Sequence, residues 1–298
     1  MRAAVVTTFG GPEAIEIAEV ERPEPAAGQI RIKVAAAALN PVDAGVRSGV
    51  FGGAGQRLGL GWDVAGTVDA TGDTASGFRP GDQVVALHHR GPVKTSGTHA
   101  EYVVVDAAAA APAPVTVDAA HAAALPLNAL SAAQALDLLE LRPGQTLLVT
   151  GAAGALGGHA IQLAAHRGIE VTAYASERDE ELTRSFGAAR FVARGATPEP
   201  ADAVLDAAVL GTEALAWVRD GGRYLGVIPG AAPAPERGVR TGSLEVVADG
   251  KLLTELVRLT DEGVLTPRVA GTYALADAAG AHARLAGGGV RGRLVLVP

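Results

Sequence analysis

Residues Ile30-Arg31-Ile32-Lys33-Val34 alternate apolar with basic side chains, the period-two pattern of a strand with one face buried. Apolar-rich runs at Val64-Ala65-Gly66-Thr67-Val68, Gln83-Val84-Val85-Ala86-Leu87 and Tyr102-Val103-Val104-Val105 predict further strands. Arg79-Pro80-Gly81-Asp82 predicts a turn just ahead of one of them. Short strands punctuated in this way imply a barrel or a sandwich. The pattern changes near residue 118. Residues 119–139 read as helix with a break at Pro126, and Arg142-Pro143-Gly144 forms a turn. A regular alternation follows: strand 145–150, helix 155–167 with Gly168 placed to end it, strand 170–173, then helix 178–186. Ser176 is positioned as the N-cap of that last helix, with Asp179 three residues on. Strands 190–193, 203–206 and 223–228 come next. The link from Val192 to Ala203 is short, carries Pro198 and Pro200, and leaves no room for a helix. Helices 252–259 and 276–285 and a strand 293–297 close the chain. Strands alternating with helices imply a parallel sheet with right-handed crossovers. The expectation is therefore an α/β protein of two domains, a β-rich one from residues 1–118 and 245–298 and a parallel-sheet one from residues 119–244.

Composition narrows the function classes. The 298 residues are 48% hydrophobic and 19% charged, as globular chains are, with a formal net charge of −7. That balance gives no support for nucleic-acid or acidic-membrane binding, which want a basic face. There is no cysteine, so disulfides, thiolate metal sites and a cysteine nucleophile are excluded. No apolar stretch reaches the length of a membrane span, and the apolar run within residues 1–8 is too short for a signal peptide. A soluble cytoplasmic protein is expected.

The chemistry-bearing motif is Gly151-Ala152-Ala153-Gly154-Ala155-Leu156-Gly157. It directly follows an expected strand and opens an expected helix, the context a dinucleotide site requires. A tight turn, close approach of a pyrophosphate to the backbone and close helix–strand packing each call for glycine, and Gly151, Gly154 and Gly157 are spaced to meet those needs. The helix adds unpaired N–H groups and a positive dipole end. The bland alternative is a glycine-rich loop with no ligand. At the end of the second strand stands Ala173-Tyr174-Ala175-Ser176-Glu177-Arg178. A hydroxyl at Ser176 and a guanidinium at Arg178 suit the 2′-phosphate of NADPH, whereas Glu177 in a shifted register would suit the 2′-hydroxyl of NADH. NADPH is favoured.

Further motifs occur in a fixed order: Asn40-Pro41-Val42-Asp43 with Arg47-Ser48-Gly49, Asp63-Val64-Ala65-Gly66, Phe78-Arg79-Pro80-Gly81-Asp82-Gln83-Val84 and Gly97-Thr98-His99-Ala100-Glu101-Tyr102. After the glycine turn come Ala203-Val204-Leu205-Asp206, Gly221-Gly222-Arg223 and Gly292-Arg293-Leu294-Val295-Leu296. Over nearly its whole length the chain resembles the zinc-independent quinone oxidoreductase branch of the medium-chain dehydrogenase/reductase family. The resemblance implies a GroES-like β-rich domain plus a Rossmann doubly wound parallel-sheet domain, with the cofactor between them, and a homodimer joined near residues 244–247. It implies that Asn40 lies near the nicotinamide and that Ser131, where relatives often carry Thr, touches the nicotinamide-side phosphate. Asp206, Ala207, Ala208, Val227 and Ile228 would line the cofactor from later strand ends. Zinc-dependent members carry Cys at the place of Asn40 and His at the place of Trp62, so no zinc is expected. The pair His88-His89 reads as a surface loop.

The resemblance also sets the mechanism expected: an oxidoreductase moving hydride from NADPH to a small-molecule quinone or to the β-carbon of a conjugated carbonyl. Asn40 and Asp43 are the candidate catalytic residues, with a structural hydrogen-bonding role for Asp43 as the plainer reading. Phe51 stands where relatives have a Tyr soon after, so no phenolic acid is at hand and water is the expected proton source. Phe51 and Trp62 are candidates to stack on a flat acceptor, or else simply to pack. The rival readings are an enoyl-thioester reductase and a cofactor-binding sensor or structural protein without significant turnover.

Overall fold

The computed structural model describes residues 1–74, 77–88, 91 and 94–298, and element counts are of these residues. The first unit, Met1–Leu127 with Val247–Glu262 and Pro267–Pro298, is built mainly of strands. In chain order its front part comprises β1 (Arg2–Val6), β2 (Ile15–Glu19), β3 (Gln29–Leu39), α1 (Pro41–Arg47), β4 (Leu58–Gly59), β5 (Asp63–Thr71), β6 (Gln83–Leu87), β7 (Tyr102–Asp106), β8 (Ala110–Pro112) and α2 (Ala119–Ala123). The long strand β3 organises this unit. It pairs antiparallel with β5 on one side and with β7 through its first half on the other. Ile30, Ile32 and Val34 meet Val64, Val68, Val84, Val103 and Val105 in one apolar cluster. The alternation expected at residues 30–34 is broken by Arg31, which is buried because its guanidinium pairs with Asp69 at 2.7 Å and Glu24 at 2.6 Å. Helix α2 packs on β3 and β5, so the first unit runs to Leu127 and the boundary expected at residue 118 lies too early.

The next elements are α3 (Pro126–Leu139), β9 (Thr146–Thr150), α4 (Ala155–His166), β10 (Glu170–Ala175), α5 (Glu180–Ser185), β11 (Arg190–Ala193), β12 (Ala201–Asp206), α6 (Thr212–Leu215), β13 (Val218–Gly226) and β14 (Arg240–Ser243). The second unit, Asn128–Val246 with Gly263–Thr266, holds a six-stranded sheet in the order β11-β10-β9-β12-β13-β14. Every pairing in it is parallel. The chain moves outward from β9 to β11, then returns to the far side of β9 as β12, which is the doubly wound topology with its switch point between β9 and β12. The return uses residues 194–200 without a helix. This link opens with a turn, in which the Ala196 N–H donates to the Ala193 carbonyl at 3.0 Å and Gly195 has φ +95°. Pro126 divides the helical run 119–139 by starting α3, because proline's missing N–H costs nothing at a helix start. The expected helix 178–186 is shorter at its front. Residues 177–179 form a 3-10 turn, and Ser176 makes no side-chain cap.

The chain returns to the first unit as α7 (Gly250–Asp261), β15 (Val269–Ala274), α8 (Ala278–Ala286) and β16 (Arg293–Val297). Strand β16 pairs antiparallel with the end of β3, joining Leu294 and Leu296 to Leu39 in a second apolar cluster. No helix among the described residues is long and apolar enough to cross a membrane. Leu148, at the centre of β9, is fully buried beside Val204, Trp217 and Tyr224. Leu148→Ala is expected to destabilise the protein by about 2–5 kcal/mol, read from the denaturation midpoint in urea.

Candidate active site

At the carboxyl end of β9 the glycine turn lies at the switch point of the sheet. Gly151 has φ +60°, a conformation that L side chains rarely adopt, and Gly154 accepts the N-cap position of α4 in an extended conformation. The Gly154 N–H donates to the Gly151 carbonyl at 2.8 Å, which closes the turn. A Cβ on Gly157 would stand 2.4 Å from the Gly151 oxygen and 2.9 Å from Ala152 Cα, both backbone atoms that cannot move aside cheaply. The helix therefore sits directly against the turn. Its first-turn amides, at Ala155, Leu156 and Gly157, have no acceptor within the helix, as at any helix start. Ala152 and Ala153 are buried and small, leaving the backbone as the exposed feature. This is the cradle a pyrophosphate fits. Ser131 is buried on α3.

Two cations mark the neighbouring strand ends. Arg178 lies in the 3-10 turn after β10, is exposed, and pairs with no carboxylate among the described residues. Ser176, half-buried, stands between the strand and that turn. Arg194 follows β11, and its N–H donates to the Ala175 carbonyl at 2.7 Å, which fixes it beside the end of β10. It too is exposed and pairs with no carboxylate among the described residues. Sequence reading missed Arg194. The signal was available, since a residue just past the carboxyl end of a strand parallel to β10 must lie next to Ser176.

On the other side of the switch point, the buried Asp206 carboxylate accepts the Thr150 hydroxyl at 2.6 Å, the Gly211 N–H at 2.8 Å and the Tyr224 hydroxyl at 2.8 Å. Thr150 Oγ1 in turn accepts the Ala208 N–H at 2.9 Å. Asp206 thus faces the protein and shapes residues 206–211, while Ala207 and Ala208 present their backbone at the strand end. Strand β13 stops at Gly226, so Val227 and Ile228 belong to the loop beyond it, Ile228 being exposed.

The first unit holds a second constellation, at the junction of β3, α1 and β5. Asn40, Asp43 and Asp63 are all fully buried. The Asn40 Nδ2 donates to Asp63 at 2.7 Å, and the other Asp63 oxygen accepts the Leu127 N–H at 2.6 Å. Asp43 accepts two backbone donors, the Asn40 N–H at 2.8 Å and the Gly61 N–H at 2.7 Å. A carboxyl group with both oxygens engaged by backbone donors braces the segment, so the geometry makes Asp43 a brace. Gly61 itself has φ +97°, and a Cβ there would lie 2.3 Å from Thr98 Oγ1 and 2.5 Å from the His99 backbone nitrogen. Lys94, buried, donates to the Gly61 carbonyl at 2.8 Å and the His88 carbonyl at 3.0 Å, and its ammonium stands 4.4 Å from the centre of the Trp62 ring. Sequence reading missed Lys94 as well, although it is one of only three lysines in the chain. His88, expected at the surface, is buried with its ring toward the Ser96 carbonyl, and His89 lies outside the described residues. Trp62 is buried beneath Lys94, whereas Phe51 is partly exposed and rests on Gly45 of α1.

Burial pushes the Asp63 carboxyl up to about 7, against the Asn40 and Leu127 donors and the Arg293 charge that pull it down. A carboxyl raised in the folded state contributes stability that is present below its unfolded value and is lost as pH rises through the folded one. Between pH 4 and 7 the protein should therefore lose stability through Asp63. Lys94, lowered by burial to about 8, acts in the window from 8 to 10.5 and leaves that range untouched. Urea denaturation at each pH should show a falling limb in the wild type and a flatter one in Asp63→Asn; equal slopes would remove Asp63 as its cause.

Comparison with known proteins agrees with this architecture. The family model of the alcohol dehydrogenase GroES-like domain matches residues 26–115, and that of zinc-binding dehydrogenase matches residues 179–296. The NADPH-dependent alkenal/one oxidoreductase, chloroplastic, of Arabidopsis thaliana is 32% identical over 314 aligned positions, spanning 100% of this chain and 80% of that protein. Among solved structures, the quinone oxidoreductase from Coxiella burnetii superposes with a TM-score of 0.91 at 28% identity, covering 100% of this chain and 99% of that one. A mycobacterial protein solved as a complex with NADPH superposes with a TM-score of 0.86 at 26% identity, covering both chains fully. The name of the second matched model raises the question of zinc. The donors here do not fit that ion: Asn40 gives its amide to Asp63, Trp62 has no lone pair to offer, and the Lys94 ammonium beside it would repel a dication. Sequence and architecture together settle the family: the chain belongs to the medium-chain dehydrogenase/reductase family, in its quinone oxidoreductase branch.

Proposed function

We propose that this protein is a zinc-free, NADPH-dependent reductase of quinones or of α,β-unsaturated carbonyl compounds. The observation that carries the reading is the glycine turn at the switch point of the parallel sheet, flanked by two exposed guanidiniums that have no carboxylate partner among the described residues. The first-turn amides of α4 would hold the pyrophosphate, with Gly151 and Gly157 allowing its approach. Arg178 and Arg194, with the Ser176 hydroxyl, would grip the 2′-phosphate through charged hydrogen bonds. Asp206 holds the loop after β12 in place, and Ala207, Ala208, Val227 and Ile228 offer the remaining lining. Ser131 is assigned to the nicotinamide-side phosphate. NADPH supplies the hydride when bound.

The cluster around Asn40 is assigned to the acceptor side, with Asn40 beside the nicotinamide and Phe51 and Trp62 as platforms for a flat acceptor. Its carboxylates are engaged with protein donors, so water is assigned as the proton source. A quinone or conjugated carbonyl tolerates that, because its reduced anion is stabilised by delocalisation. The same reading carries a homodimer joined near residues 244–247, just past β14, the edge strand of the second unit, and light scattering in solution tests it.

Cofactor consumption against a panel of quinones, enones and enoyl thioesters tests the activity. Turnover with quinones or enones supports the proposal, turnover confined to enoyl thioesters replaces it with a thioester reductase, and no turnover with any acceptor favours a sensor. For the cofactor, Arg178→Ala and Arg194→Ala should each weaken NADPH binding by about 1.5–3 kcal/mol, the worth of a charged hydrogen bond, and leave NADH binding nearly unmoved. Equal losses for both cofactors in a fluorescence titration would remove the phosphate assignment.

A further inference from the structure

Lys94 presents a physical puzzle. It is 7% exposed, its ammonium is held by two carbonyls and one indole face, and burial lowers its pKa only to about 8. It is therefore charged at neutral pH. The groups around it are Asp43 on α1 and Asp63 on β5, whose charges favour the ammonium, together with His99 and, beside the two carboxyls, Arg293 on β16. Packing does not require such a charge. A methionine would fill the volume, and replacing buried ionic groups by apolar ones of similar size is often neutral or stabilising. A buried cation kept in a lysine-poor chain, next to the residues assigned to the acceptor, points to a task other than folding.

The geometry says what the task is. Gly61 is gripped on both flanks: its N–H reaches Asp43 and its carbonyl receives Lys94. The next residue is Trp62, whose carbonyl accepts the His88 N–H at 2.7 Å, while the His88 carbonyl receives Lys94. One ammonium thus locks the ends of β5 and β6 together just beyond their last paired residues, Asp63 and Leu87, and seats the indole beneath itself. We propose that Lys94 is a positioning residue of the acceptor site, fixing the Trp62 platform and supplying the fixed positive charge next to which the reduced acceptor becomes anionic. The step it assists is balanced as follows. Hydride transfer forms a C–H bond at the β-carbon, moves the C=C electron pair toward the carbonyl oxygen as an enolate, and oxidises the nicotinamide; water then protonates the enolate. For a quinone the corresponding anion is the quinol monoanion. A preorganised charge near a forming oxyanion lowers the barrier without reorganisation at the moment of reaction. The inference rests on the proposed reductase reading.

The test compares Lys94→Met, Lys94→Arg and the wild type. In Lys94→Met, kcat should fall about tenfold to a hundredfold, less than the roughly 10²–10³-fold lost when a donor in direct contact with an oxyanion is removed, because Lys94 is held by protein carbonyls, while the Kd for NADPH stays within about twofold. Lys94→Arg should recover most of kcat. The wild-type rate should decline above pH 8, and in Lys94→Arg that decline should move to higher pH. In a Trp217→Phe background, where Trp62 is the remaining tryptophan, its emission should change in Lys94→Met and return in Lys94→Arg. Wild-type turnover that survives undiminished in Lys94→Met overturns the inference alone. If no acceptor is reduced by the wild type, the functional reading falls and takes the inference with it. Should Lys94→Met fail to fold, an alkaline decline identical in the wild type and Lys94→Arg overturns the proposal.

Discussion

The second unit depends on one constraint, the union of β9 and β12 at the reversal of strand order. Backbone pairing brings Thr150 opposite Asp206, and the Asp206 carboxylate then ties the Thr150 hydroxyl, the Gly211 amide and the Tyr224 hydroxyl into one buried knot. A parallel sheet opens a crevice where its order reverses, because the two neighbouring crossovers leave on opposite faces. In this chain the strand ends at that reversal are tied together by side chains that themselves face inward. The glycine turn can then be thin, since nothing in it has to carry structural load beyond the contact of Gly157 with Gly151. The turn thus presents backbone amides, and the long side chains of Arg178 and Arg194 stand one residue or a few past the neighbouring strands.

The first unit solves a different problem, that of keeping several charges in an apolar interior. Arg31 does it by pairing with Asp69 and Glu24. Asp43 and Asp63 do it by accepting backbone and amide donors, and Lys94 by donating to carbonyls and lying over an indole. Each device satisfies the charge locally, as buried ions require. The Asn40 cluster combines one carboxyl, Asp63, and one lysine, Lys94, whose proton affinities are displaced by burial toward neutrality, which makes its charge state sensitive to small changes near pH 7–8. Such displacement concentrates where chemistry is done.

These two halves make different demands on evolution of the sequence. The turn requires small residues at particular spacings, which is why it can be recognised in any chain of this architecture. The charged cluster requires specific partners from distant segments. Family membership accordingly rests on the ordered motifs and the fold.

Much was legible in the sequence alone. Period-two and period-3.6 patterns marked most strands and helices, Pro126 marked the division between α2 and α3, and the short proline-bearing link before β12 announced the missing helix. The glycine turn was legible because its shape depends on local backbone freedom, and the absence of thiolate ligands because composition alone decides it. Only the tertiary structure decided the rest. Arg31 broke its alternation because carboxylates from elsewhere came to meet it. Ser176 lost its capping role because the chain there made a 3-10 turn. Arg194 joined the end of β10 through strand pairing, and Lys94 reached Gly61 across 33 positions. Local rules fix what a segment can become; which charges meet in the interior depends on segments that are far apart along the chain and adjacent only after it has folded.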